Sequence, residues 1–458
     1  MVMKCGLEVH GYIQTESNRK LFCDCVVSHD SEPNTNVCPV CTGQPGSKPM
    51  SPNREAMEKA VTISLMLGCK VNRDTFFLRK HYDWPDMPTG FQKTGSGSYS
   101  FPVGVGGEFL GVRITQVHIE EDPARWDPKS GLIDYNRSGV PLIEIVTEPD
   151  FSDAEDVQVW LKKLITTLKY VKSLDIGGGI KSDVNVSIEP DFERVEIKNV
   201  NSLTGIFNAI KYEVKRQGKV KAEGGSEVQH TRRWNDQKQK TEFMRSKEEA
   251  QDYRFIREPD LLSNHFDNDL ISGVEEILPE KPYEKLERYK GFGVPVVDAE
   301  ILSSDIYVAD IFESVIKSVD VGLATKWIRG QLLSVMNYNG VESQDLSIDV
   351  GELVVLLKKL ESNEITDEVG RKVLRLLFED EKLGVEKYVK DNNLLMVSDL
   401  GEIEGFCRRV IEENPVAVED FKSGSEKSLN FLVGNVMRLS KGKSNPQETA
   451  KVLKRLIG

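Results

Sequence analysis

Four cysteines fall as Cys23-x-Cys25, a gap of twelve residues, then Cys38-Pro39-Val40-Cys41. Two short knuckles of this kind can close a tetrahedral four-thiolate zinc site. Four sulfur ligands leave no open coordination position, so the ion would be structural. The alternative is four unrelated thiols. A second set of residues is acidic. "CGLEVHGYI" alternates like a strand, with Leu7 and Val9 on one side and Glu8 and His10 on the other. "RITQVHIEED" puts Ile114, Gln116, His118 and Glu120 on one face, with Glu121 and Asp122 following. "GVPLIEIVTEPD" puts Glu144, Val146 and Glu148 on one face and Ile143 and Ile145 on the other. Carboxylates and imidazoles without sulfur suit Mg²⁺ or Mn²⁺ rather than zinc. Spacing alone leaves two readings open: a cation site, or solvated strand faces.

These residues need strands to carry them. "SDVNVSI" sets Asp183, Asn185 and Ser187 opposite Val184, Val186 and Ile188, and "RVEIKNVNS" sets Glu196 and Lys198 opposite Val195 and Ile197. Several strands with one apolar and one polar face predict an antiparallel sheet with an open, polar concave side. Helices are expected over 154–171 and 202–217. From about residue 290 the period changes to that of amphipathic helices, as in "GELVVLLKKLESNEI" and "TDEVGRKVLRLLFEDE". In the last helix Asn445 is the expected N-cap and Pro446 the first helical residue. The fold class is therefore α+β: a large cradle domain built on an antiparallel β-sheet with flanking helices, then an all-α helical domain and a small helical tail domain. The expected boundaries are 1–290, 291–395 and 396–458.

The chain has 458 residues and a net charge of −13, which argues against a general nucleic-acid coat. Residues 421–458 differ, with eight Lys/Arg against two Glu. That basic tail is either a local polyanion contact or a solvated helix face. No apolar run reaches membrane-spanning length and the N-terminus lacks a secretory h-region, so a cytoplasmic location is expected. Two absences narrow the chemistry. Gly442-Lys443-Ser444 is not a P-loop, because the required upstream glycine falls on Met437. No glutaminase nucleophile stands out, since Cys5, Cys69 and Cys407 lack a recognisable His-bearing context.

The blocks "GLEVHGYIQT", "KHYDWPDMPTGFQ", "VHIEEDPAR", "DYNRSGVPLIEIVTEPD", "SDVNVSI", "RVEIKNVNS", "QHTRRWNDQKQKTEFMRSKEEAQDYRFIREPDL", "KWIRGQLL" and "FLVGNVMRLSKGKSNPQ" occur in that order from Gly6 to the C-terminus. Together they resemble the B-type (GatB) subunits of the aspartyl/glutamyl-tRNA amidotransferase. The related archaeal E-type subunit carries a large inserted domain before its helical region, and this chain has no room for one. Two departures are local. Lys181-Ser182 stands where the family usually has Arg-Cys, and His81-Tyr82-Asp83-Trp84-Pro85-Asp86 where it has a Tyr-Phe-Tyr-Pro-Asp stretch.

The resemblance implies an ATP-dependent ligase subunit. It would phosphorylate the side-chain carboxylate of Asp or Glu misacylated on tRNA(Asn) or tRNA(Gln), and ammonia would then displace the phosphate. It implies Mg²⁺ (or Mn²⁺) held by Glu8, His10, Glu120 and Glu144, with His118 and Glu148 behind them, and structural zinc on Cys23, Cys25, Cys38 and Cys41. Arg137, Asp183, Asn185, Glu196, Lys198 and Asn199 become candidates for lining the pocket and an ammonia tunnel, with surface solvation the alternative for each. Ammonia would come from the A-type amidase partner, clamped by the small C-type partner in a heterotrimer. The tail, YqeY-like in the family, would hold tRNA through Lys441, Lys443, Lys451, Lys454 and Arg455. Two rivals remain: a chain specific for Glu-tRNA alone, and a non-catalytic tRNA-binding scaffold subunit of the same complex.

Overall fold

The computed structural model describes residues 2–28, 30–97, 99–175, 179–190, 193–246, 253–396, 400–440 and 442–458, without the side chains of residues 199 and 400. The chain divides into two compact units, Met1–Lys281 and Pro282–Gly458.

The first unit runs β1 (Val2–Tyr12), α1 (Arg54–Met66), β2 (Lys70–Val71), β3 (Asp74–Thr75), β4 (Leu78–His81), β5 (Phe91–Thr94), β6 (Gly104–Phe109), β7 (Val112–Glu121), β8 (Arg125–Trp126), β9 (Ile133–Asp134), β10 (Pro141–Thr147), α2 (Ala154–Tyr170), β11 (Ile180–Glu189), β12 (Val195–Val200), α3 (Leu203–Ala222), β13 (His230–Asn235), β14 (Lys240–Ser246), β15 (Ile256–Arg257), β16 (Asn264–His265) and α4 (Asn268–Ile277). Twelve of these strands form one sheet in the order β14-β13-β12-β11-β1-β10-β7-β5-β4-β15, with β6 also on β7 and β2 on β6. Its named pairs are antiparallel except β12 with β13. The sheet is therefore mixed. The parallel pair exists because α3 intervenes between β12 and β13, and two parallel neighbours need a crossover.

Alternation sets the faces. Leu7, Val9, Val117, Ile119, Ile143, Ile145, Val184, Val186, Ile188, Val195 and Ile197 are all buried. So are Val157, Leu161, Leu164 and Leu168 of α2 and Ile206, Ala209 and Ile210 of α3. α3 packs on β11 and against α2, while α1 packs on β6 and β7. Full burial of each such aliphatic side chain contributes roughly 1.5–3 kcal/mol. A one-residue slip of a strand would turn its apolar set outward, so this core fixes the register, and with it the polar face.

The helices begin where their caps dictate. Asp153 and Ser202 accept from backbone N–H groups at the starts of α2 and α3. α3 runs to Ala222, beyond the expected residue 217, and ends before Gly224, which adopts a positive φ of 79°.

The second unit is helical: α5 (Pro282–Gly291), α6 (Val296–Ser303), α7 (Ile306–Ile316), α8 (Val321–Trp327), α9 (Leu333–Asn339), α10 (Val350–Glu361), α11 (Asp367–Glu379), α12 (Val385–Asp391), α13 (Leu400–Glu413), α14 (Pro415–Lys422), α15 (Glu426–Leu439) and α16 (Pro446–Ile457). A π-turn, Ile328–Leu332, joins α8 to α9. The division falls at 281/282 instead of 290/291 because α5 belongs to the helical core: Tyr289 is fully buried there and its hydroxyl donates to Glu313 of α7 (2.7 Å). Two apolar clusters are separate. One centres on Phe312, Trp327, Leu356, Leu357 and Leu377. The other joins Ile403, Cys407 and Val410 of α13 to Leu432, Val436 and Leu453 of α15 and α16. Asn445 caps α16 by accepting from Gln447 and Glu448 N–H, and Pro446 takes the first helical position.

Candidate active site

β1 lies between β10 and β11, and its register lines up the polar face. His10 stands opposite Glu144 on one side and Lys181 on the other, and Glu144 stands opposite His118. Glu120 pairs with Thr94, Glu8 with Asp183, and Asn185 with Glu196. Directly opposed residues share a face, so side chains scattered over nearly two hundred positions form one polar strip.

Two groups occupy it. In the first, His10 Nε2 lies 3.7 Å from Glu120 Oε1 and 3.6 Å from Glu144 Oε1. These separations are too long for good hydrogen bonds, yet within the ~4.2 Å that two ligands about 2.1 Å from one ion can span. Glu120 also accepts from Thr94 Oγ1 (3.1 Å). Burial opposes the charge on His10, but Glu144 and Glu120 outweigh it and raise its pKa. Burial, then Glu144, raises Glu120. Burial would raise Glu144 too, but His10, His118, Lys80 and Ser96 hold it low. The His10 imidazole, 3.6–3.7 Å from each of two buried carboxylates, offers donor types and charge that suit a hard divalent cation.

The second group gathers ligand atoms of Glu8, Asp183 and Glu196 within 4.8 Å of one another. Lys198 Nζ sits among them, 2.7 Å from Asp183 and 2.9 Å from Glu196. Asn185 donates to Glu8 (3.0 Å) and Thr231 to Glu196 (2.8 Å). Burial raises the Glu8 pKa first, then Glu144 and Asp183. Glu8 is thus electrostatically tied to both groups, while its hydrogen bond points to the second.

The other predicted residues go elsewhere. His118 shares the polar face but both its ring nitrogens are engaged, Nδ1 with Gly95 O (2.8 Å) and Nε2 with Gln116 (2.7 Å). Burial lowers its pKa, and it walls the polar face beside Glu144. Glu148 lies past the end of β10, and Thr115 donates to it (3.1 Å). A register shift between Val146 and Thr147 sets Thr147 opposite Ile114, so Ile114 leaves the Gln116 face and is buried. Glu121 forms a buried ion pair with Lys93 (2.8 Å). Asp122 pairs with Arg137 (3.0 Å) and accepts from Tyr12 (2.8 Å), and Arg137 also donates to the carbonyls of Pro123 and Ala124. Lys181, one of the departures, reaches the Tyr12 hydroxyl (3.4 Å). The side chain of Asn199 and residue Lys441 lie outside the described residues.

Sequence reasoning missed Lys80, Thr94 and Ser96. Lys80 lowers both Glu120 and Glu144. The available signal was "KTGSG", a small-residue loop directly after β5, whose Ser96 N–H donates back to Thr94 Oγ1 (2.9 Å).

The cysteine quartet converges. Cys23, Cys25, Cys38 and Cys41 sulfurs lie within 4.8 Å of one another, with Cys41 Sγ 3.9 Å from Cys38 Sγ and 4.0 Å from Cys25 Sγ. A tetrahedron with Zn–S of about 2.3 Å has edges of about 3.8 Å, while a disulfide needs about 2.05 Å. The Cys38 N–H points at Cys41 Sγ (3.2 Å). The Cys41 thiol is lowered to about 4 by hydrogen bonding from Cys23, with Lys20 assisting against burial. This donor set fits zinc.

In the tail, Lys451 pairs with Glu448 and Arg455 with Glu404, each at 2.7 Å. Lys443 and Lys454 have no carboxylate partner among the described residues.

Residues 3–272 match the GatB/GatE catalytic domain family and residues 310–457 the GatB domain family. The chain is 42% identical over 458 residues to the B-type subunit of the aspartyl/glutamyl-tRNA(Asn/Gln) amidotransferase of Methanothermobacter thermautotrophicus, covering 99% of this chain and all of that one. The corresponding protein of Methanobrevibacter smithii is 43% identical at the same coverage. That of Methanocaldococcus jannaschii is 41% identical, with 99% and 97% covered. The fold is therefore a polar-sheet unit followed by a helical unit. The chain belongs to the GatB family of amidotransferase subunits.

Proposed function

We propose that this chain is the carboxylate-activating subunit of a glutamine-hydrolysing, tRNA-dependent amidotransferase, working on Asp-tRNA(Asn), Glu-tRNA(Gln) or both. The reaction needs activation because a carboxylate repels nucleophiles and its oxygen is a poor leaving group. An oxygen of the substrate side chain attacks the γ-phosphorus of ATP, giving an acyl phosphate and ADP. Ammonia then adds to the acyl carbon, and phosphate departs with the C–O bond, leaving the amide.

The grouping of His10, Glu120 and Glu144 carries this reading. They would hold Mg²⁺ or Mn²⁺, with Glu8 adjoining, and the ion would neutralise charge developing on the transferred phosphoryl group. The ATP-contacting side would have Lys80, a cation beside these carboxylates, and the small-residue turn Gly95–Gly97. His118 confines the polar face beside Glu144. The strip of Glu8, Asp183, Asn185, Glu196 and Lys198 is a polar route along which ammonia could reach the acyl phosphate. Ammonia itself comes from a partner, which we take to be the A-type amidase held by the small C-type protein in a heterotrimer. Zinc on the cysteine quartet would stabilise the loop that follows β1, and Lys443 and Lys454 are among the tail cations that would meet tRNA phosphate. No helix is long and apolar enough to cross a membrane, and we place the protein in the cytoplasm with translation.

The test is ATP turnover by the assembled complex with each misacylated tRNA, using glutamine or ammonium as nitrogen source. Turnover stimulated by misacylated tRNA, with Asn-tRNA or Gln-tRNA formed, supports the reading and assigns the substrate. Amide formation without ATP cleavage, or tRNA binding with no chemistry, would leave a scaffold subunit.

A further inference from the structure

The second unit holds a groove that neither the catalytic strip nor the tail accounts for. One wall is the face of the π-turn and α9 formed by Gln331, Ser334, Val335 and Tyr338, and the other is Arg371 and Arg375 of α11, with the Glu379 carboxylate at its C-terminal end. Its volume is about 470 Å³. That lies in the roughly 300–1,000 Å³ range of small-ligand clefts and leaves room for a nucleotide. The wall begins within "KWIRGQLL", and a π-turn inside a helical run is a feature often found at functional sites.

Charge and exposure say what would fill it. Other cations nearby are neutralised: Lys372 by Glu368 (3.1 Å), Lys326 by Asp367 (2.7 Å) and Arg329 by Asp298 (2.9 Å). Arg371 and Arg375 are exposed and have no carboxylate partner among the described residues. They stand four residues apart on one helix face, an arrangement whose like-charge repulsion disfavours the helix unless an anion sits between them. Tyr338 is 91% exposed, a large aromatic surface left in water beside them. Two unpaired guanidinium groups suit a phosphate, and a bare aromatic ring suits the face of a base.

We propose that this groove seats an unstacked nucleotide of the substrate tRNA, with its base on Tyr338 and its backbone phosphate on Arg371 and Arg375. The inference rests on the tRNA-dependent reading above and adds a contact within the helical unit, away from the C-terminal basic segment.

The experiment measures affinity of the full chain for misacylated tRNA across about 50–200 mM salt. R371Q/R375Q should bind at least about tenfold more weakly, and the slope of log affinity against log salt should fall by about one to two. Tyr338→Ala should weaken binding about tenfold with an unchanged slope, because stacking releases no counterions, and Tyr338→Phe should restore it. Lys372→Gln removes a paired charge from the same helix outside the groove and should bind like the unmutated chain. If R371Q/R375Q keeps the wild-type affinity and slope, or if Lys372→Gln loses as much, the groove is not an RNA contact. If the unmutated chain binds no tRNA, the functional reading and the groove fall together. If it binds and the groove variants match it, only the groove falls.

Discussion

Replacing Lys198 by Met should turn an ion-paired cluster into a repulsive one. The side chain keeps its length and apolar stem but loses the ammonium that lies 2.7 Å from Asp183 and 2.9 Å from Glu196. Oxygens of Glu8, Asp183 and Glu196 then face each other within 4.8 Å. At an effective dielectric constant near 20, each like-charged pair at that distance repels by about 3.5 kcal/mol. Lys198 is 28% exposed, Asp183 22% and Glu196 24%, so solvent screens this only partly. Breaking such a pair typically costs about 3–5 kcal/mol, which in a unit of this size corresponds to a loss of about 6–15 °C in Tm. The deficit must depend on pH. In the native protein burial would raise the Glu196 pKa, but Lys198 outweighs it and holds it low. Its stabilisation is therefore present above the unfolded value of about 4.3 and is lost as pH falls through the lower folded value. Without Lys198, burial and mutual repulsion raise the carboxylates above their unfolded values. Their penalty is then full at high pH and relieved as they protonate on acidification. Scanning calorimetry of both proteins should show the largest gap near about pH 8 and a smaller one near about pH 5. Added Mn²⁺ or Mg²⁺ should narrow the gap, because three carboxylates without a lysine form a cation site. A gap that is absent, or constant across this range, would refute the reasoning.

Further outcomes are expected. Glu144→Gln and Glu8→Ala should each lower amide formation at least about 100-fold while leaving tRNA affinity nearly unchanged, and normal turnover of either at low Mg²⁺ would remove that residue from the metal site. Elemental analysis should find one zinc per chain, and Cys38→Ser should lose it and melt earlier, since a closed thiolate site contributes to folding. Deleting the tail from Gly424 would strip Ile403, Cys407 and Val410 of their partners on α15 and α16, so charge removal is the cleaner probe. Lys443→Gln with Lys454→Gln should weaken tRNA binding and reduce its salt slope by up to about two, whereas unchanged affinity would make these residues solvated surface.

Alternation along the chain was enough to read the strands of the polar sheet and which side of each faces away from the core. Val184 and Asp183, or Val9 and His10, cannot exchange faces without turning an apolar set into water. The cysteine quartet was legible because four thiols at knuckle spacing have few other uses. The last helix start followed from Asn445, whose side chain satisfies free N–H groups. Which polar residues meet is a different matter, settled by folding in three dimensions. Pairing order set Glu8 beside Asp183 and His10 beside Glu144, and no local pattern encodes which strand becomes a neighbour. A register shift at Val146/Thr147 moved Ile114 to the apolar side, because one extra residue reverses the alternation beyond it. Lys80 reached the carboxylates from another strand, and Arg371 met the Tyr338 groove from another helix, contacts that form only when distant segments pack. Local sequence fixes what each element presents to its surroundings, while long-range packing chooses the surroundings.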